Sequence, residues 1–210
     1  MRRPQPVTKD DVVAAAAQLF EERGYQSTRA DDIAEALKIA KPTLYSRTQG
    51  KAELLEAIMD LVMDVISEMD DDASHLHEEA VAPLTALERL FVHHVQKAVA
   101  YQSYFAVVLM DERELPADSR ARVRKWGERY TRRVRDLIAA GIADGTIRDD
   151  LDPHIAANTL LASANWVCVW YRDDGRLSAD DIASQMWLVI SGGLQAPATG
   201  PKRAGRRAKS

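Results

Sequence analysis

A short segment near the N-terminus combines side chains that are suited to contacting DNA. Lys41, Thr43 and Tyr45 fall within five residues and offer one cation and two hydroxyl groups, and Pro42 adds an apolar surface. Cations and hydroxyl groups bind phosphate oxygens and guanine acceptors, and apolar groups contact the methyl group of thymine. The segment therefore predicts a surface that reads DNA.

The elements around this segment predict how it is positioned. Thr28 lies three residues before Asp31, a spacing typical of a helix start, and a second helix is expected there. A third helix is expected over about residues 41–47, with Pro42 tolerated in its first turn. Two short helices joined by a tight turn form a helix-turn-helix, which lays its second helix in the major groove.

The predicted DNA contacts divide by their position in these elements. Thr28 and Arg29 are expected to contact phosphate from the start of the second helix, and Lys51 from the start of the fourth. Lys41 and Arg47 are candidates for either guanine or phosphate. The full predicted set is Thr28, Arg29, Lys41, Pro42, Thr43, Tyr45, Ser46, Arg47 and Lys51.

The net charge of −4 does not by itself indicate a nucleic-acid partner, but its distribution permits one. Residues 1–52 carry nine Lys and Arg against seven Asp and Glu, whereas residues 53–80 carry ten acidic residues and no basic one.

The single cysteine, Cys168, excludes an intrachain disulfide. The basic N-terminus is not followed by an apolar stretch, so no signal peptide is predicted and a cytoplasmic location is expected.

Helical periodicity dominates the chain and predicts an all-α fold of about nine helices. Residues 1–52 are expected to form a helix-turn-helix head, residues 53–195 a ligand-binding and dimerisation body, and residues 196–210 a disordered basic tail. The fourth helix is expected to end at Met69, before the acidic residues Asp70–Asp72.

Residues 8–55 resemble the N-terminal domain of the TetR family of bacterial transcriptional repressors. The matching features are Ala16-x-x-Leu19-Phe20, Gly24-Tyr25, Thr28, Asp32-Ile33-Ala34, and Lys41-Pro42-Thr43-Leu44-Tyr45 followed by Lys51. The resemblance implies a three-helix DNA-binding head, a ligand-binding body of helices four to nine and a homodimer formed through the last two helices. It also implies DNA contacts at Thr28, Lys41, Thr43, Tyr45 and Lys51.

Three residues depart from the family pattern near the third helix. Lys38 occupies the position of the usual turn glycine, so a side chain less tolerant of positive φ must make that turn. Ala40 replaces the usual serine N-cap, at a cost of about 0.5–2 kcal/mol. Thr48 stands where many members have phenylalanine, which predicts lighter packing beneath the third helix.

The penultimate helix predicts a dimer interface. Residues 155–171 contain no charged side chain, and a helix that is apolar all round must be buried on all sides. One side of this helix can face the core of the body and the other a partner subunit. The last helix contributes further apolar side chains, namely Ile182, Met186, Trp187, Val189 and Ile190. The alternative is one larger monomeric core.

The body is also expected to hold a cavity for an apolar ligand with a few polar groups. Its predicted lining is Met59, Met63, Ile66, Leu87, Phe91, Val95, Tyr104, Val108, Trp126, Tyr130, Asn165 and Trp166. Each of these residues would equally suit plain core packing. No metal or cofactor site is expected.

The eight basic residues of segment 120–135 allow two interpretations. They are either the solvated flanks of an amphipathic helix or a site for an anionic ligand, such as the phosphates of an acyl-CoA. The pattern around Asn165-Trp166, Trp170-Tyr171-Arg172 and residues 175–178 resembles TetR-family repressors of fatty-acid and sterol degradation in actinobacteria. Their effectors are acyl-CoA thioesters, so the resemblance implies an effector of that class.

Together these features predict a dimeric repressor that a small apolar or acyl-CoA-like effector releases from its DNA operator, with no membrane partner. A dimeric helical interaction protein without DNA binding remains an alternative. An all-α enzyme is a further alternative, but the chain contains no nucleophile elbow, phosphate loop or dinucleotide fingerprint.

Overall fold

Residues 6–78 and 81–195 are described by a computed structural model, with side chains described at 6–69 and 81–195. This part of the chain folds into nine α-helices and one short 3-10 helix, Glu112–Glu114, and its only β pairing is an isolated bridge. The helices are α1 Lys9–Arg23, α2 Ala30–Ala36, α3 Lys41–Tyr45, α4 Lys51–Glu78, α5 Pro83–Ala100, α6 Gln102–Asp111, α7 Ala117–Asp144, α8 Pro153–Trp170 and α9 Ala179–Leu194. The all-α prediction is confirmed.

The turn between α2 and α3 is made by Lys38 with a positive φ of 54°. The Lys38 amide donates to the Glu35 carbonyl and the Ile39 amide donates to the Ala34 carbonyl, each at 3.0 Å. This pair of hydrogen bonds defines a Schellman motif, in which glycine is preferred at the position that Lys38 occupies. The strained turn expected from the sequence is therefore present.

The fourth helix is longer than predicted. It continues through Asp70–Asp72 to Glu78, so the expectation that it ends at Met69 is wrong. Three successive aspartates lower helix propensity by well under 1 kcal/mol each, and no glycine or proline occurs before Pro83 to stop the helix.

Two hydrophobic cores share α4 and α6. The head core joins α1, α2 and α3 to Leu54, Leu55, Ile58 and Met59 of α4, and it includes Val107 of α6. The body core is formed mainly by α5, α7, α8 and α9. The expected boundary between residues 52 and 53 therefore falls inside the head core.

Within the described ranges, no helix is both long enough and apolar enough to span a bilayer. The predicted disordered tail, residues 196–210, lies outside those ranges.

Replacing Lys38 by glycine is expected to stabilise the protein by about 1 kcal/mol, because a Cβ is disfavoured in the left-handed region. Denaturant unfolding at fixed protein concentration measures this difference. Lys38→Ala is the matched control, since it removes the same charge but keeps the Cβ, and it should give no gain. Equal stability of the glycine and alanine variants would contradict the assignment of strain to this turn.

Candidate nucleic-acid interface and ligand cavity

The third helix is held on one side and exposed on the other. Leu44 is fully buried in the head core and anchors the helix. The remaining side chains of the segment are exposed, namely Lys41, Pro42, Thr43, Tyr45, Ser46 and Arg47. Tyr45 keeps 54% of its surface exposed, which is high for an aromatic side chain. The exposed face thus gathers most of the predicted DNA-binding residues on one surface, and Arg29 is exposed as well.

The N-terminus of α3 has no side-chain cap. Ala40 supplies only its carbonyl, which accepts hydrogen bonds from the amides of Thr43 at 2.9 Å and Leu44 at 3.2 Å. The helix comprises five residues, shorter than the expected segment that ended at Arg47. Its orientation therefore depends on the anchoring of Leu44 rather than on its own hydrogen bonds.

The Lys41 ammonium forms an ion pair within the head. Its Nζ lies 2.7 Å from Asp31 Oδ2 at the start of α2, and this hydrogen bond raises the pKa of Lys41. Both side chains are more than half exposed, so the ion pair contributes little free energy.

Thr28 does not belong to the exposed surface. Only 1% of it is accessible, and its hydroxyl donates to the carbonyls of Leu19 at 3.2 Å and Gly24 at 3.0 Å. These carbonyls belong to the C-terminal end of α1, so Thr28 fixes the α1–α2 connection. The hydroxyl is therefore engaged within the protein, and a phosphate contact by Thr28 stays a prediction.

Lys51 is also engaged within the protein. Its half-buried ammonium donates to the carbonyl of Tyr25 at 2.6 Å and lies 4.1 Å from the centre of the Tyr25 ring. The side chain thereby joins the start of α4 to the α1–α2 connection. A phosphate contact by Lys51 stays a prediction and would have to share the ammonium with these groups.

The segment after α3 is fixed by a polar cluster instead of the usual phenylalanine. Thr48 is buried, and its hydroxyl lies 3.1 Å from both the Gly50 carbonyl and a Glu53 carboxylate oxygen. The Glu53 carboxylate accepts hydrogen bonds from Lys9 Nζ and the Gln49 amide, which together lower its pKa to about 2. Hydrogen bonds thus replace part of the packing that the sequence predicted to be lighter.

A cavity of about 430 Å³ lies in the body. Seven of the predicted ligand-binding residues line it, and these are Met59, Met63, Ile66, Val108, Trp126, Tyr130 and Asn165. The volume falls in the range of pockets that hold a small organic molecule. Trp126 and Tyr130 form one wall with stacked rings, and Trp126 is fixed by a 2.9 Å hydrogen bond from its Nε1 to Ser67 Oγ.

Five predicted ligand-binding residues do not line this cavity. Leu87, Phe91 and Val95 are fully buried in the body core, where Phe91 packs against Trp187. Tyr104 packs against both cores, and Trp166 is half exposed on the surface of α8. Helical periodicity identified these side chains as apolar but could not distinguish close packing from the wall of a cavity.

The sequence prediction also missed residues that line the cavity. They are Val62, His94, Phe105, Leu109, Val123, Gly127, Thr131, Asn158, Leu161 and Ala162. His94 is the most informative of them, because it is fully buried and hydrogen-bonded to Tyr130 and Asn165. Its spacing from Leu87, Leu90 and Phe91 already places it on the apolar face of α5, and that signal could have identified it.

A cationic depression adjoins the cavity. It encloses about 470 Å³ and is lined by Arg124, Glu128, Thr131, Arg132, Arg135, His154 and Asn158. Thr131 and Asn158 line both spaces, so the depression and the cavity are neighbours. Arg124 and Arg132 form no ion pair within the described part of the chain, whereas Arg122 on the same helix pairs with Asp60 at 3.3 Å.

The outer faces of α8 and α9 expose large apolar side chains. They are Ile155, Trp166, Val169 and Trp170 on α8 and Leu188 and Val189 on α9. The other side of α8 is buried in the body core, as predicted. Two of the α9 residues assigned to the dimer surface, Ile182 and Trp187, instead belong to the core of the same chain, where their side chains are buried.

Comparison with known proteins gives matches over both parts of the chain. Residues 12–58 match the profile of the bacterial regulatory proteins of the TetR family, and residues 80–194 match the profile of the tetracyclin repressor-like C-terminal domain. The transcriptional repressor KstR2 of Mycolicibacterium smegmatis is 27% identical over 196 residues, which cover 90% of this chain and 92% of that protein. KstR2 of Rhodococcus jostii is 28% identical over 195 residues, with coverage of 90% and 92%.

Solved structures share the same fold. KstR2 of Mycobacterium tuberculosis superposes with a TM-score of 0.82 at 21% identity and covers 90% of this chain and 95% of its own. AibR in complex with isovaleryl coenzyme A and operator DNA superposes with a TM-score of 0.74 at 26% identity, over 86% of this chain and 96% of its own. Because the C-terminal profile alone spans more than half of the sequence and the N-terminal profile covers the helix-turn-helix, the protein belongs to the TetR family of bacterial transcriptional regulators.

Proposed function

We propose that this protein is a cytoplasmic, homodimeric repressor that leaves its DNA operator when an acyl-CoA thioester binds the body. The position of the cationic depression beside the apolar cavity carries the proposal, because an acyl-CoA combines an apolar acyl group with several phosphates. The structure of AibR with isovaleryl coenzyme A and operator DNA gives a relative that binds both kinds of partner.

The exposed face of α3 is the proposed reader of the major groove. Lys41 and Arg47 supply cations, Thr43 and Tyr45 supply hydroxyl groups, and Pro42 supplies an apolar surface. Ser46 is less available, since its hydroxyl donates to the Thr43 carbonyl at 2.7 Å. Arg29 and Lys51 are proposed to bind phosphates on either side of the groove.

The exposed apolar surface of α8 and α9 is the proposed dimer interface. Six large apolar side chains are exposed on two helices that both pack on α5, and a soluble monomer rarely leaves so many exposed together. Gly192 and Gly193 at the end of α9 would permit close approach of a second copy. A two-fold dimer would place two recognition helices about 34–36 Å apart, which matches successive major grooves.

The shared helices provide a physical route from cavity to head. On α4, Met59 lines the cavity and also belongs to the head core. On α6, the cavity is lined by Phe105, Val108 and Leu109, and their neighbour Val107 is buried in the head core. A ligand that requires a wider cavity would displace α6 relative to α1. Effector binding would then favour a state in which the two heads are wrongly spaced for the operator.

Lys41→Ala and Tyr45→Phe should each weaken operator binding by roughly tenfold, because each removes a contact proposed for α3. Fluorescence anisotropy with DNA from the promoter beside the protein's own gene, at two salt concentrations, measures the loss. Lys97→Ala is the matched control, since Lys97 also pairs with a carboxylate but lies on α5. Unchanged affinity in both variants would refute the contact assignment, and the absence of any salt-sensitive DNA binding would refute the function.

Val189→Glu should convert the dimer into a monomer and abolish tight operator binding, because it buries a charge in the proposed interface. Val189 is 78% exposed in the single chain, so the substitution should leave the fold of the protomer intact. Sedimentation velocity gives the oligomeric state. Met110→Glu, at an exposed apolar residue on α6, should remain dimeric, and a dimeric Val189→Glu variant would place the interface elsewhere.

Replacing both Arg124 and Arg132 by alanine should weaken binding of isovaleryl coenzyme A by about tenfold, since each loses a charge-assisted hydrogen bond to phosphate. Isothermal titration calorimetry measures the affinity. Isovaleryl pantetheine, which lacks the phosphates, should bind both proteins equally. Arg122→Ala, on the same helix but outside the depression, is the control variant. A loss that is equal for the two ligands would show that the arginines do not bind phosphate.

A further inference from the structure

We propose that the cavity recognises a carbonyl oxygen of its ligand through the side-chain amide of Asn165, which His94 and Tyr130 hold in position. The inference rests on the proposed function, because it specifies the effector that the same cavity would admit. It adds a chemical requirement to a pocket whose remaining walls are largely apolar.

The three side chains form one hydrogen-bonded chain at the cavity wall. His94 Nε2 lies 2.8 Å from Asn165 Oδ1, and His94 Nδ1 lies 3.1 Å from the Tyr130 hydroxyl. Because an amide oxygen can only accept, the proton of the imidazole must be on Nε2. The bare Nδ1 then accepts the hydrogen bond that Tyr130 donates.

Burial keeps the imidazole neutral and so preserves this direction. His94 is fully buried, and desolvation lowers its pKa to about 4, against the opposing effect of the hydrogen bond to Asn165. At neutral pH the imidazole carries one N–H proton, so only one of its two ring nitrogens donates a hydrogen bond. This tautomer of His94 is consistent with an Asn165 amide whose oxygen faces the ring and with a hydrogen bond donated by Tyr130.

With its oxygen bound to His94, Asn165 directs its amide nitrogen away from the ring. That nitrogen carries two N–H donors and makes no hydrogen bond to the described part of the chain, although the residue lines the cavity. Phe105 and Leu161 contribute apolar surface nearby. A donor in apolar surroundings gains most from a ligand acceptor, because leaving it unpaired costs its full desolvation energy.

A carbonyl meets this requirement better than a hydroxyl group. Its oxygen accepts a hydrogen bond and brings no proton of its own, whereas a hydroxyl group would add a donor that needs a further acceptor. Asn158, at the junction with the cationic depression, lies seven residues before Asn165 on α8, which corresponds to about 10 Å along the helix. The recognised carbonyl would therefore lie at the inner end of the ligand, away from the phosphates.

A ketone and an alcohol of one ring skeleton test the requirement in the unmodified protein. We expect 2-decalone to bind about fivefold more tightly than 2-decalol. Titration calorimetry measures both affinities, and tryptophan fluorescence, to which Trp126 at the cavity wall contributes, reports occupancy. Equal affinities, or a preference for the alcohol, would overturn the proposal without any variant having to fold.

Asn165→Asp provides the sharper comparison. The carboxylate still accepts the hydrogen bond from His94 but presents an acceptor to the cavity in place of the amide donors. The preference should therefore invert, so that the alcohol binds more tightly than the ketone. Asn158→Asp is the matched control, because Asn158 is also a cavity asparagine on α8 whose amide lies 3.2 Å from a histidine nitrogen, His154 Nε2. It should keep the preference for the ketone.

The two proposals fail in different ways. If both compounds bind alike, recognition of the carbonyl is wrong, while the ligand cavity and DNA binding stand. If neither compound binds, the cavity is not a site for apolar ligands, and the proposed effector control fails together with this inference. A preference that inverts in both asparagine variants would mean that charge at the cavity, and not the Asn165 donor, controls selectivity.

Discussion

The structure depends on the packing of α4 and α6 between two hydrophobic cores. Met59 of α4 is buried in the head core and also lines the cavity. Val107 of α6 is buried in the head core, and residues next to it on α6 line the cavity. Burying one such side chain contributes about 1.5–3 kcal/mol, so the head cannot move independently of these helices without losing much of its stabilisation. A change in the shape of the cavity would therefore be transmitted to the head through close packing rather than through a flexible linker.

Polar groups inside the body have a different role from the apolar core. A buried imidazole costs free energy unless both nitrogens are paired, and His94 is paired on both sides. The chain of hydrogen bonds through Tyr130 and Asn165 keeps one arrangement of donors at the cavity wall. In the proposed ligand site, the apolar walls would determine how large a ligand can be, while this short polar chain would determine which functional group it must carry.

The sequence predicted the fold and the exposed face of α3 because both depend on local patterns. The residue types and their spacing along the chain reveal the helix starts, the helical periodicity and the sequence of residues from Lys41 to Tyr45. The same reasoning failed where the outcome depends on tertiary packing. Thr28 was predicted to offer its hydroxyl to a phosphate, whereas that hydroxyl donates to a carbonyl at the end of α1. Phe91 was predicted to line the cavity, whereas it packs against Trp187 in the body core. Periodicity shows which side of a helix is apolar, but it does not show whether a neighbour fills the space.

The departures from the family pattern matter most when they are considered together. Lys38 strains the turn before α3, Ala40 leaves its start uncapped, and the helix is only five residues long. An isolated helix of this length is not stable in water, so its geometry is imposed by Leu44 in the head core. That core includes side chains of α4 and α6, whose neighbours line the cavity. The orientation of α3 is therefore set by the same packing that a ligand in the cavity would disturb. Because α3 is weakly self-supporting, the proposed DNA-binding surface would respond more readily to changes in the body.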